Sequence, residues 1–194
     1  MYRSISILLV VVLMALLSNT ATLAGPGAAT QDKQKQPRQT TREFLTKEVR
    51  HQLVMMPYYS LFDWLEFEIQ DEDTVILRGQ TVRPTIKSEA EARVRDIEGV
   101  EKVINEIEVL PLSPNDDRIR RAVYRAIFNY NSPLFRYATQ VVPPIHIIVK
   151  NGRVTLKGVV VNEGDKNLAY IKANGVSGVF EVKNELRVEK SGKK

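Results

Sequence analysis

Residues Val75–Val109, VILRGQTVRPTIKSEAEARVRDIEGVEKVINEIEV, lie over Val154–Val188, VTLKGVVVNEGDKNLAYIKANGVSGVFEVKNELRV, without a gap. Val75 falls on Val154, Leu77 on Leu156, Gly79 on Gly158, Val82 on Val161 and Ala90 on Ala169. Further on, Gly99-Val100 falls on Gly178-Val179, Val103 on Val182, Asn105 on Asn184 and Val109 on Val188. Glycines, strand apolars and an asparagine all keep their places, so the chain carries an internal duplication.

The segments outside these stretches correspond too, once a short insertion is allowed in the second copy. Leu45, Val49 and Leu53 recur at helical spacing, and so do Ile119, Val123 and Ile127. Asp116 and Asp117 precede the second run as N-cap residues, and Pro57 and Pro133 close the two helices. Leu65, Phe67 and Ile69 then alternate with Glu66 and Glu68, as an amphipathic strand does, and Ile145, Ile147 and Val149 do the same in the second copy. A polar turn follows each strand, Asp71-Glu72-Asp73 in one copy and the hairpin signal Asn151-Gly152 in the other. Second helices are expected over Pro84–Ile97 and Asn162–Asn174. In the last strand Val182, Asn184, Leu186 and Val188 share one face, with Glu181, Lys183, Glu185 and Arg187 on the other.

The fold class is therefore α+β. Two tandem αββαβ modules are expected, each a three-stranded sheet packed on one face by two helices and open to solvent on the other. The first module covers residues 42–110 and the second residues 116–189. They are joined by the stiff connector 111–115 (Pro111-Leu112-Ser113-Pro114-Asn115), and a basic tail, 190–194, follows. Modules this small have marginal cores, which favours packing of one on the other.

Ahead of the modules, Arg3 precedes an apolar run from Ile5 to Leu17, and then Ser18-Asn19-Thr20-Ala21-Thr22-Leu23-Ala24. Residues 1–24 read as a cleavable secretory signal, cut after Ala24. An uncleaved inner-membrane anchor is the alternative, although the run is short of the roughly 20 residues of a membrane span. Residues 25–41, rich in Gly, Ala, Gln, Lys and Pro, read as a disordered tether. Export implies a periplasmic location, so nucleic acid is not expected as a partner. The net charge of +5 suits an anionic surface instead. With no cysteine in the chain, disulfides, thiolate metal sites and a lipid-modified cysteine are all excluded.

The pattern Val75-Ile76-Leu77-Arg78-Gly79, Gly99-Val100 and Val103-Ile104-Asn105-Glu106-Ile107-Glu108-Val109 resembles the BON domain. It returns as Val154-Thr155-Leu156-Lys157-Gly158, Gly178-Val179 and Val182-Lys183-Asn184-Glu185-Leu186-Arg187-Val188. The resemblance covers nearly all of residues 42–189. It implies a periplasmic envelope-maintenance or osmotic-stress protein that attaches to phospholipid, in a family where lipid contact can be confined to one copy.

Gly79, Gly99, Gly158 and Gly178 sit in no phosphate-loop pattern and read as backbone requirements, and Asn105 and Asn184 read as polar groups fixing neighbouring backbone. The two histidines, His51 and His146, stand in different modules, so no metal site and no cofactor is expected. Glu66 and Glu68 are spaced for one solvated strand face rather than for a catalytic cleft, and no serine lies in a nucleophile elbow, so no enzyme is expected. On a helical projection the first helix of the second module puts Ile119, Val123, Ala126, Ile127 and Tyr130 inward. Arg121, Tyr124, Arg125 and Phe128 then face outward, a mixture of cation and ring suited to anionic lipid headgroups. Coverage of Tyr124 and Phe128 by the first module or by the Pro133–Pro144 loop is the competing reading. The aromatic patch Tyr58-Tyr59-Leu61-Phe62-Trp64 is expected in core or inter-module packing. Two other functions stay open. One is a chaperone-like or protein-interaction module protecting exported polypeptides under envelope stress. The other is a self-associating spacer.

Overall fold

The computed structural model describes residues 38–71 and 73–189, so the expected signal segment, most of the expected tether and the basic tail lie outside the described residues. The first module runs α1 (Arg38–Val54), β1 (Trp64–Gln70), β2 (Thr74–Thr81), α2 (Pro84–Arg95), β3 (Lys102–Asn105) and β4 (Glu108–Val109). The second runs α3 (Pro114–Ile127), α4 (Phe135–Ala138), β5 (Ile145–Lys150), β6 (Arg153–Val160), α5 (Glu163–Asn174) and β7 (Glu181–Val188). Helix α1 begins inside the stretch read as a tether.

In each module the middle strand pairs antiparallel with its hairpin partner and parallel with the strand that follows the second helix. Helices cover one face of each sheet. Leu45, Val49, Val75, Leu77, Ala90 and Val94 meet in the first core. Ile119, Val123, Ile147, Leu156, Ala169 and Leu186 meet in the second. The helical and alternating spacings place these side chains inward because their periods match the two kinds of backbone.

Three local features differ from expectation. The last strand of the first module is split into β3 and β4, where the Asn105 side-chain oxygen takes the Ile107 N–H. Asn184 makes the same bond to Leu186 without breaking β7. The cap of α3 is Ser113, whose hydroxyl accepts from Asp116 N–H. Asp116 is freed to clamp the β5–β6 turn instead, accepting from Asn151 and Gly152 N–H at 2.8 Å each. Finally, the outer face of the second sheet is not open at β5, where His146 and Ile148 are as buried as Ile147 because the first module packs on them.

Gly79 and Gly158 occupy one structural position. At φ +126° and +119°, a Cβ on either would fall within 2 Å of a backbone carbonyl oxygen, that of Trp64 or of Pro144. The first strand of each hairpin crosses here with no room for a side chain, and neither φ suits an L residue. Gly158→Ala should therefore lower stability by at least about 2 kcal/mol, read as an earlier urea midpoint at unchanged m-value. Gly175→Ala, at an ordinary helix end, is the near-neutral control.

Candidate functional site

The outward face of α3 divides in two. Arg121 and Arg125 are exposed, and neither makes an ion pair among the described residues. Tyr124 is 37% exposed and leans edge-on against Phe62 of the first module, ring centroids 6.4 Å apart. Phe128, expected outward, is only 6% exposed and joins the second core, while Tyr130, expected inward, is 82% exposed. The helical projection fails at that end because α3 stops at Ile127. Phe128, at φ −98° and ψ 31°, has left the helical path, and its side chain lies in the second core. The exposed ring Tyr130 instead pairs with Phe135 at 5.2 Å.

Beneath this face, Arg120 points inward. Its guanidinium donates to the Val149 carbonyl at 2.7 Å and pairs with Asp117. Arg42 of α1 makes the matching bond to Ile69 O in the first module. Both helices are thus pinned to the end of their neighbouring strand by an arginine.

The joint between the modules is built from residues 59–64. Leu61 and Phe62 pack against the second core, and Leu61 O accepts from Ile147 N–H at 2.8 Å. His146 enters from the other side, its Nδ1 2.6 Å from Asp63 O, with the Tyr59 and Trp64 rings at 5.8 and 5.0 Å. Lys157 closes the rim, 3.7 Å from Glu66 and over the Trp64 ring. Asp63 itself is fully buried. Its carboxylate accepts from Ser60 N–H and hydroxyl at 3.0 and 2.8 Å, from the Thr81 hydroxyl at 2.7 Å and from Val82 N–H at 2.9 Å. Of the aromatic patch, only Tyr58 is left largely exposed.

The remaining singled-out residues are structural. Asn105 and Asn184 each donate to a helix carbonyl, Lys87 O and Lys166 O, at 2.9 Å. Gly99 and Gly178 take φ +90° in the turns before β3 and β7. Glu68 pairs with Arg78 on the sheet surface. Among the described residues, no group of three or more His, Asp or Glu side chains converges as a metal site. Nor is any helix among them long and apolar enough to cross a membrane. Asp63 carried no sequence signal of its own, since a lone Asp before a strand reads as loop. Its role shows only once Thr81 and Val82 are folded beside it.

Two such modules, joined by a short connector, define a tandem α+β protein. The chain belongs to the BON domain family, whose model matches residues 45–111 and again 115–190. BON domains are non-catalytic binding modules, and the family is tied to the cell envelope. No curated protein matches. Among solved structures, the chain is similar to the C-terminal domain of CdsD, the structural protein of the Type III secretion system of Chlamydia trachomatis. Identity is 13% and the TM-score 0.28, covering 75% of this chain and 98% of that one. A second structure of CdsD gives 13% identity and a TM-score of 0.29, over 77% and 95%.

His146 makes the joint sensitive to pH. Burial pushes its imidazole below the ordinary value of 6.5, and Tyr59 beside it is pushed up to about 12 by the same cause. On unfolding, His146 regains its ordinary pKa, so the unfolded chain takes up that proton first. Its contribution to stability is intact above the unfolded value and is lost as pH falls through that value toward the lowered folded one. The urea midpoint should drop between about pH 7.5 and pH 5 more steeply in the native protein than in His146→Gln. Equal slopes would contradict this account of the joint.

Proposed function

We propose that this protein works in the periplasm by peripheral attachment to anionic phospholipid, through the outward face of α3 in the second module. The observation that carries the reading is the pair Arg121 and Arg125. They are exposed on one helix, without counter-ions among the described residues, and lie beside a half-exposed Tyr124. Exposed Tyr130 follows just beyond the helix end. Guanidinium groups bind phosphate in a bidentate fork, and tyrosine rings settle at the boundary between headgroup and acyl chain. The first module is less suited: the matching face of α1 carries Lys47, Arg50, His51 and Val54, basic but without an aromatic ring. Because Phe128 is committed to the core, the attachment is superficial and chiefly electrostatic. Export by a cleaved signal segment would bring the chain to this surface.

A basic side chain near an anionic membrane is worth about 1 kcal/mol. Two such charges give weak binding that salt screens, since the Debye length falls from about 10 Å at 0.1 M to about 3 Å at 1 M. Flotation of residues 25–194 with anionic and neutral vesicles should show binding to the anionic ones alone, lost at high salt. Arg121→Glu/Arg125→Glu should weaken it at least about tenfold at low salt without loss of fold. Binding that persists in the variant would place the site elsewhere. Salt-insensitive capture of unfolded polypeptide, with no vesicle binding, would favour the chaperone-like reading. That alternative draws on exposed Leu112, Tyr130, Val141 and Phe180.

A further inference from the structure

The joint within one chain is half of a contact that the duplication offers twice. Leu65 pairs with Gly79 as Ile145 pairs with Gly158, so the two hairpins share one register at their entry. Trp64 and Pro144 lie under the two equivalent glycines. Counting back from them, Leu61 and Phe62 correspond to Val141 and Val142. Leu61 and Phe62 are the plug that the first module seats on the second. Their counterparts join neither described core: Val141 is fully exposed and Val142 is partly covered.

The receiving side is repeated as well. Leu61 and Phe62 enter the second module between α3 and the edge of β5, where Ile147 N–H takes the Leu61 carbonyl and Tyr124 meets the Phe62 ring. In the first module the same place lies between α1 and β1. Phe67 stands for Ile147, and Arg50 stands for Tyr124. Strand β1 is the sheet edge, and among the described residues only β2 pairs with its backbone. A groove of about 810 Å³ runs along it, with Leu53, Val54, Leu65 and Phe67 among its apolar lining and Arg50 and Glu66 among its charged lining. An open edge beside such a groove is a site for an added extended segment.

We propose that a second copy of this chain fills that groove with its Val141-Val142 loop, repeating between molecules the contact that Leu61-Phe62 makes within one. Plug and groove lie on different modules, so the contact is heterologous and continues head to tail instead of closing as a symmetric dimer. Two valines bury less apolar surface than a leucine and a phenylalanine, and Pro143 replaces the Asp63 that braces the inner plug. The inner joint also gains the high effective concentration supplied by its short connector. The intermolecular contact is therefore the weaker of the two, and it forms where the protein is concentrated. The proposal stands independently of lipid binding.

The absence of cysteine makes the test clean. The full chain carrying Arg50→Cys and Val142→Cys, produced in cells, is treated with a short thiol-to-thiol cross-linker. A ladder of dimer, trimer and higher species is expected. Co-produced single variants should give a dimer and nothing larger, and each single variant alone should stay monomeric. Replacing Val142→Cys by Leu112→Cys, more exposed but outside the loop, should abolish the ladder. In the native protein, sedimentation should show an average mass that rises with concentration, and Val141→Asp/Val142→Asp should abolish the rise. Monomer at every concentration overturns the proposal, as does self-linking of Arg50→Cys alone, which would mean a symmetric face. A groove filled by the chain's own N-terminal segment would give the monomeric result.

Discussion

A buried carboxylate needs several donors to offset the cost of leaving water, and Asp63 has four. Those donors come from its own loop and from the end of β2, so the carboxylate ties the segment before β1 to the strand across the sheet. With the loop held in that shape, Leu61 and Phe62 are presented to the second module, and the Asp63 carbonyl is aimed at His146. Without it, Ser60 N–H, Val82 N–H and the Thr81 hydroxyl would compete for water in a closed space. The plug would then lose its support. The burial of His146 against the Asp63 carbonyl and the half-covered state of Tyr124 against Phe62 both depend on the loop held in that shape.

The second module solves the same local problem differently. At the position of Val82 stands Val161, and its N–H is taken by the Tyr137 hydroxyl at 2.9 Å. That hydroxyl in turn donates to Asp165, which also pairs with Arg136. Helix α4, absent from the first module, supplies this tyrosine. The insertion thus replaces a carboxylate within the loop by a phenol from a neighbouring turn, leaving the Val141-Val142 loop outside. The duplicated frame is kept while its joining surfaces diverge.

Much of the architecture was legible in the sequence because periodicity and glycine placement are local signals. The αββαβ order, the cores built on Val49 and Val123, and the equivalence of Gly79 with Gly158 all follow from spacing. On the outward face of α3, the exposure of Arg121 and Arg125 was legible, because they lie within a regular helix. It was misread at Phe128 and Tyr130, because a projection at 100° per residue holds only while the helix continues, and a stop at Ile127 has no strong signature. The joint was legible only in part: the patch that holds Leu61 and Phe62 was expected in core or inter-module packing. Asp63 and His146 are distant in sequence, and their roles arise from tertiary pairing that no short pattern encodes. The expected open sheet face at β5 was wrong for the same reason: what covers it is the neighbouring module.

This joint makes the two modules one body. Backbone ¹⁵N relaxation of the native protein, compared with Asp63→Ala, tests it most directly. The account predicts one rotational correlation time for both modules in the native protein, with a slowly exchanging Ile147 amide. In the variant it predicts two shorter, unequal times and rapid exchange at Ile147. Independent tumbling of the modules in the native protein would contradict it.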